Sequence, residues 1–273
     1  MSAGNSQDGA TGGAGRIILD EDGHIAMLTL SNPARRNAMS AGMWQALKAF
    51  ATDVDARTDV RVIVVRGEGT LAFSAGADIS DFASQRADAA SAQGYDDLVE
   101  DACRALEAVR APTIALIHGA CLGAGSSIAA SCDIRVASSQ AYFAVPAARL
   151  GLGYDPRGIA RFLRVFGRPA TQYLLYTASR LEAHRAAGMG VVMQVAPPDE
   201  IDAEAMKLAV LIAANAPLTL AAAKVAIRAL SSADGGSLAQ DVERLYKAAD
   251  ASEDYREGRQ AFAEKRPPRF SGR

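Results

Sequence analysis

The chain lacks most of what would staple it, anchor it or commit it to a charged partner. Its three cysteines, Cys103, Cys121 and Cys132, are odd in number and show no metal-ligand spacing. That excludes a disulfide scaffold and predicts free thiols in a reducing compartment. The three histidines, His24, His118 and His184, form no cluster with cysteines or carboxylates, so no metal site is expected. No stretch approaches the ~20 uninterrupted apolar residues of a membrane span. A net charge of −2 gives no electrostatic reason to expect nucleic acid or an anionic membrane as partner. No G-x-S-x-G elbow surrounds Ser126 or Ser127, which argues against a serine hydrolase. Gly119, Gly123 and Gly125 do not make the dinucleotide fingerprint.

What is present is a core. With 273 residues, 49% hydrophobic and 22% charged, the chain can fold as one or two globular domains without staples. Residues 1–15 are rich in Gly, Ser and Ala, with neither an apolar core nor arginine enrichment. They read as a disordered tail rather than a signal or transit peptide, and a cytoplasmic protein is expected.

From there, Ile25–Leu30 and Val62–Val65 are apolar strand candidates. Ser40 is placed to cap a helix from Ala41 to about Ala56, with Met43, Leu47, Phe50 and Val54 on one face. This strand–helix–strand rhythm predicts a parallel sheet with crossover helices. Residues 81–94, polar and rich in Ala and Ser, read as a mobile loop, followed by a helix over Tyr95–Val109. Thr113–Ile117 and Ile134–Ala137 are further strands, with a helix starting in Gly123–Ser131. After about Arg157 helical patterns dominate, interrupted by a strand-like VVMQV. Three long helices are expected from Ile201, separated by Pro217 and by Gly235-Gly236.

Two turns carry the chemistry. Phe73–Asp78 reads FSAGAD, and His118–Asp133 reads HGACLGAGSSIAASCD. Each is a small-residue turn after an apolar run, leading into a segment that can start a helix. Such turns leave backbone N–H groups unpaired at a helix start. Two of them aimed at one point make an oxyanion hole, suited to a thioester carbonyl becoming an enolate. Small side chains let a substrate oxygen approach that closely.

Six segments in order resemble the crotonase superfamily, the enoyl-CoA hydratase/isomerase family, from about Ile17 to Arg273. They are NPARRNAMS (Asn32–Ser40), FSAGADI (Phe73–Ile79), APTIALIHGACLGAG (Ala111–Gly125), CDIRVAS (Cys132–Ser138), YFAVPAARLGLGYD (Tyr142–Asp155) and EGRQAFAEKRPPRF (Glu257–Phe270). The resemblance implies an α/β fold, a crotonase-like spiral of ββα turns over residues 16–200. It also implies a C-terminal helical region over 201–273 used for forming trimers or dimers of trimers. The implied partner is an acyl-CoA thioester, as in fatty-acid metabolism, with no cofactor beyond the coenzyme A of the substrate.

By the same resemblance the oxyanion donors are the N–H groups of Ala77 and Ala124. Ala75, Asp78, Ile79, Leu122, Gly125, Pro146 and Tyr154 would surround the acyl group, with Asp78 holding its loop by accepting backbone N–H bonds. Arg36 and Ala38 would meet the coenzyme, as would Phe262 and Lys265 across a subunit contact. Arg259 and Arg266 are alternative phosphate partners, and the basic residues near 265 also read as a solvated helix end.

The chain departs from the family where it matters most. Family hydratases use two glutamates, and here those positions are Ser127 and Ala147. A serine hydroxyl has no pKa suited to general base work near neutrality, so hydration is expected to be poor. Dienoyl-CoA isomerases carry an acid at the position of Asp155, which makes Asp155 the candidate base; it also reads as a helix cap or as a partner of Arg157. Tyr154 reads as a pocket wall, and Arg149 either neutralises a carboxylated acyl group or pairs with Asp155. His118 reads as a hydrogen-bonded core residue. The alternatives to an isomerase-like enzyme are a non-catalytic acyl-CoA binder and a decarboxylase of a carboxyacyl-CoA. The latter needs the oxyanion hole but no general base.

Overall fold

The computed structural model describes residues 15–78, 88–231 and 235–273. In chain order the first half holds β1 (Arg16–Asp22), β2 (Ile25–Ser31), α1 (Ala41–Asp55), β3 (Val62–Gly67), β4 (Ala72–Ser74) and α2 (Ala89–Ala108). Next come β5 (Thr113–Ile117), β6 (Ala120–Leu122), α3 (Ala124–Ser131), β7 (Ile134–Ser138), β8 (Tyr142–Ala144) and α4 (Pro156–Thr177). The remainder is β9 (Leu181–Glu182), α5 (Ala183–Gly188), β10 (Gln194–Ala196), α6 (Ile201–Ala213), α7 (Pro217–Ser231), α8 (Ala239–Asp250) and α9 (Glu253–Glu264).

The strands form two sheets. A six-stranded sheet runs β1-β2-β3-β5-β7-β10, parallel except for the β1–β2 hairpin. A smaller sheet runs β4-β6-β8-β9, parallel except at β8–β9. The parallel sheet and its crossover helices are as the strand–helix rhythm predicts. Successive turns of the chain each lay one strand in the large sheet and one short strand in the small sheet.

Strands β2, β3 and β5 of the large sheet are buried on both faces, which is why they read as nearly continuous apolar runs. Side chains alternate between the faces. Ile63 and Val65 of β3, with Ala115 and Ile117 of β5, join the main core beneath the small sheet and α1 to α5. Val62, Val64, Ile114 and Leu116 point the other way, onto Ile201, Ala205, Ala209 and Ile212 of α6.

Local signals hold where capping chemistry is strong. The Ser40 side chain accepts the Met43 N–H at the start of α1, and Met43, Trp44, Leu47, Ala51 and Val54 are buried, while Phe50 only packs at the edge.

Two expectations are corrected. Residues 81–87 of the expected mobile loop lie outside the described residues, but α2 begins at Ala89, six residues before the expected Tyr95. Asp88 and Ser91 form a reciprocal capping box that starts it early. Among the described residues the C-terminal region has four α-helices instead of three, because the Ser252 side chain accepts the Tyr255 N–H and starts α9 after α8 ends. Within α4 the helical segments RFLRVF and ATQYLLYTA are separated at Gly167, which takes a non-helical φ of 70° and ψ of 166° just before Pro169.

Candidate active site

Strands β4, β6 and β8 are parallel neighbours, so their C-terminal ends fall side by side. The turns that leave them supply Ala75–Ala77, Gly123–Ala124 and Val145–Ala147, which line one largely apolar cavity of about 160 Å³. Ligands of open α/β sheets sit at this carboxyl edge.

The Ala77 N–H stands out from its neighbours. Ala75 N donates to Arg36 O at 2.9 Å, Gly76 N to Ser74 Oγ at 3.2 Å, and Asp78 N to Met39 O at 2.9 Å. Ala77 N has no acceptor among the described residues. Ala124 N, at the first position of α3, has none either, although Gly123 N donates to Ala144 O at 2.8 Å.

Two glycines hold these turns together. Gly76 has φ 105°, and a Cβ there would lie 3.2 Å from Leu122 O and 3.9 Å from Ala124 N. A Cβ on Gly125 would come within 2.8 Å of both Cβ and O of Ser74. Two unpaired N–H groups, one at a helix N-terminus, thus border one apolar cavity, an arrangement able to stabilise a developing oxyanion.

The sequence-predicted residues divide into two sets. Ala75, Ala77, Ala124, Ser127, Pro146, Ala147, Tyr154 and Asp155 line the cavity. Arg36, Ala38, Asp78, Leu122, Gly125, Arg149, Phe262 and Lys265 do not. Gly125 acts by close packing instead, and Arg36 accepts the Ala75 N–H through its carbonyl. Asp78, expected to hold its loop through backbone N–H groups, accepts from the Arg35 guanidinium at 2.5 and 2.6 Å. Ile79 lies outside the described residues. Phe262 is 88% exposed near the end of α9.

Asp155 is the N-cap of α4 and accepts from Arg157 N at 2.8 Å. The Arg157 guanidinium adds bonds of 2.9 and 2.6 Å to Oδ2. This contact holds the carboxyl below its ordinary pKa, with partial burial opposing the shift. The cap and the Arg157 partnership are therefore both formed, and the alternative pairing with Arg149 is not. Tyr154 Oη lies 2.9 Å from Ser127 Oγ, and its ring stacks on Phe162. Burial pushes its pKa up to about 12.

Sequence reasoning missed the opposite wall. Tyr95, Asp96, Val99 and Glu100 of α2 and Arg161 of α4 also line the cavity. Their i, i+4 spacing falls inside the helix expected over Tyr95–Val109 and puts them on one face, but no local pattern says which neighbour that face meets. Glu100 and Arg161 are buried at 5% and 2% exposure and pair through Nη2 at 3.0 and 2.9 Å. Asn37 was also missed. Its side-chain nitrogen donates to Ala72 O at 2.8 Å, tying the loop after β2 to β4. His118 is buried, as expected, with Nε2 2.7 Å from Asp202. Among the described residues no three His, Cys, Asp or Glu side chains are grouped to hold a metal.

A spiral of paired strands whose small-sheet edge opens on an apolar cavity is the architecture of the crotonase superfamily. A family model for enoyl-CoA hydratase/isomerase matches residues 20–273, and the chain belongs to that family. It is 32% identical over 249 residues to the putative enoyl-CoA hydratase/isomerase YngF of Bacillus subtilis, covering 91% of this chain and 95% of the relative. It is 30% identical to a short-chain-enoyl-CoA hydratase of Clostridium acetobutylicum, covering 92% and 95%. A crystal structure of an enoyl-CoA hydratase/carnithine racemase from Magnetospirillum magneticum superposes with a TM-score of 0.89 at 33% identity, covering 94% and 96%.

Proposed function

We propose that this family member binds an acyl-CoA thioester with its carbonyl oxygen between the N–H groups of Ala77 and Ala124. There it stabilises the enolate formed when a neighbouring carbon loses a proton. The observation that carries this reading is the pair of unpaired N–H groups bordering one apolar cavity. Hydration is slow, because Ser127 and Ala147 supply no carboxylate. Proton transfer of the isomerase type falls to Asp155. Calorimetry with a saturated acyl-CoA, alongside turnover across enoyl-, dienoyl- and carboxyacyl-CoAs, tests this. Absence of any binding up to millimolar concentration removes the reading.

One observation favours a second reading, a non-catalytic acyl-CoA binder. The Arg157 contacts hold Asp155 ionised and lower its pKa, which makes it a weak base. The decarboxylase reading keeps the oxyanion donors but not Arg149 as partner of the leaving carboxylate, since Arg149 does not line the cavity. We further propose that residues 201–273 form the contacts of a trimer or dimer of trimers, in which Phe262 and Lys265 reach a neighbour's coenzyme A.

A further inference from the structure

Among the described residues Ser127 Oγ and Tyr154 Oη each find one hydrogen-bond partner, and it is the other. Two hydroxyls carry two protons, and one bond between them uses one proton, whichever atom donates. The second O–H has no acceptor among the described residues. Ser127 is only 4% exposed and the cavity wall is largely apolar. A donor left unmade there is costly, so the pair is set to donate to an oxygen brought in by a ligand.

The pair is rigidly placed. The Tyr154 ring stacks on Phe162 with centroids 5.6 Å apart. It also lies against the first turn of α4, where a Cβ on Gly158 would meet Tyr154 Cε1 at 2.9 Å. Burial keeps the phenol protonated at neutral pH, with its pKa at about 12. Ser127 stands three residues after Ala124 on α3, and both line the cavity. Positions i and i+3 share a helix face about 5–6 Å apart. An acyl chain whose thioester oxygen is held at Ala124 therefore has its third carbon within reach of Ser127.

We propose that the Ser127–Tyr154 hydroxyl pair selects acyl thioesters that carry an acceptor oxygen on their third carbon, the 3-oxoacyl class. This rests on the acyl-thioester reading above. A carboxylate at position 127 would offer only acceptors when ionised, whereas the hydroxyl pair offers a donor.

Calorimetry on the full chain compares acetoacetyl-CoA with butyryl-CoA, which have the same chain length. The wild type is expected to bind acetoacetyl-CoA roughly tenfold more tightly, the worth of one net hydrogen bond. The ratio of the two affinities is expected to fall to about one in the double variant Ser127→Ala with Tyr154→Phe, because either hydroxyl alone keeps one proton to donate. A wild-type ratio near one with measurable binding overturns this proposal alone. So does a ratio that survives both substitutions. Failure of both ligands to bind overturns the acyl-thioester reading, and this inference with it.

Discussion

Asp155 is held by Arg157 through the backbone N–H at 2.8 Å and through Nε and Nη2 at 2.9 and 2.6 Å. One carboxylate thus caps α4, neutralises an arginine and faces the cavity. Asp155→Asn keeps the size and the capping oxygen but removes the charge. If Asp155 moves the proton, turnover of the best substrate is expected to fall by at least ~10²-fold while acyl-CoA affinity stays similar. Full turnover in the variant assigns the residue to capping alone.

The same residue predicts a pH dependence. Its folded-state pKa is depressed below 3.8, so its contribution to stability is present above the unfolded pKa and is lost as pH falls through the folded value. The stability gap between wild type and Asp155→Asn is expected to be constant near neutrality and to close below about pH 3.9. Urea midpoints measured for both proteins across that range check it. A gap that widens as the pH falls refutes the assignment.

Gly125→Ala probes the junction of the two donor turns. The new methyl meets Ser74 Cβ and O at 2.8 Å, closer than real Cβ atoms approach. Overpacking of this kind costs about 1–3 kcal/mol. Displacing α3 from β4 also separates the two donors, and losing one such donor is worth about 2.7–4 kcal/mol of transition-state stabilisation. Denaturant midpoints and any enolate-dependent turnover are both expected to drop. Unchanged values would show that the turns are not locked together there.

The buried Glu100–Arg161 pair predicts a large stability effect. Arg161→Met removes the Arg161 partner of a carboxylate that is 5% exposed and leaves it Arg104 at 2.8 Å. Breaking a buried pair from one side typically costs about 3–5 kcal/mol. The double variant Glu100→Gln with Arg161→Met is expected to recover part of the loss in urea unfolding. A single variant as stable as wild type would place the pair in effective contact with water.

Crotonyl-CoA hydration should be weak, since each absent acid or base is worth roughly 10²–10⁴-fold. A rate in the range of efficient hydratases would mean that Asp96, Glu100 or Asp155 has replaced the glutamates absent at Ser127 and Ala147.

Light scattering tests the proposed assembly. Among the apolar residues of α6 and α7, Leu211 and Ile227 are 64% and 67% exposed. Ile212 is buried, and Leu208 and Leu220 pack against the core of the same subunit. Val210, Leu230 and Phe262 join the exposed set. A stable monomer at micromolar concentration would end the oligomer proposal and the shared role of Phe262 and Lys265.

Much of this protein was determined by the sequence alone, wherever a local rule suffices. Ser40 starts α1 because its hydroxyl serves the Met43 N–H three residues away. The runs Val62–Val65 of β3 and Thr113–Ile117 of β5 are strands with two buried faces because every residue in them is apolar or small enough to pack. The departures at Ser127 and Ala147 are likewise visible without a structure. Tertiary structure alone decided the rest. Strands β4, β6 and β8 have three residues each, too few to show a periodic signal, and only their mutual hydrogen bonding brings Ala77 beside Ala124. The contacts of Ser127 with Tyr154 and of Glu100 with Arg161 join residues 27 and 61 positions apart. Such contacts depend on how helices and strands pack after the chain has folded, and no local pattern of residues specifies them.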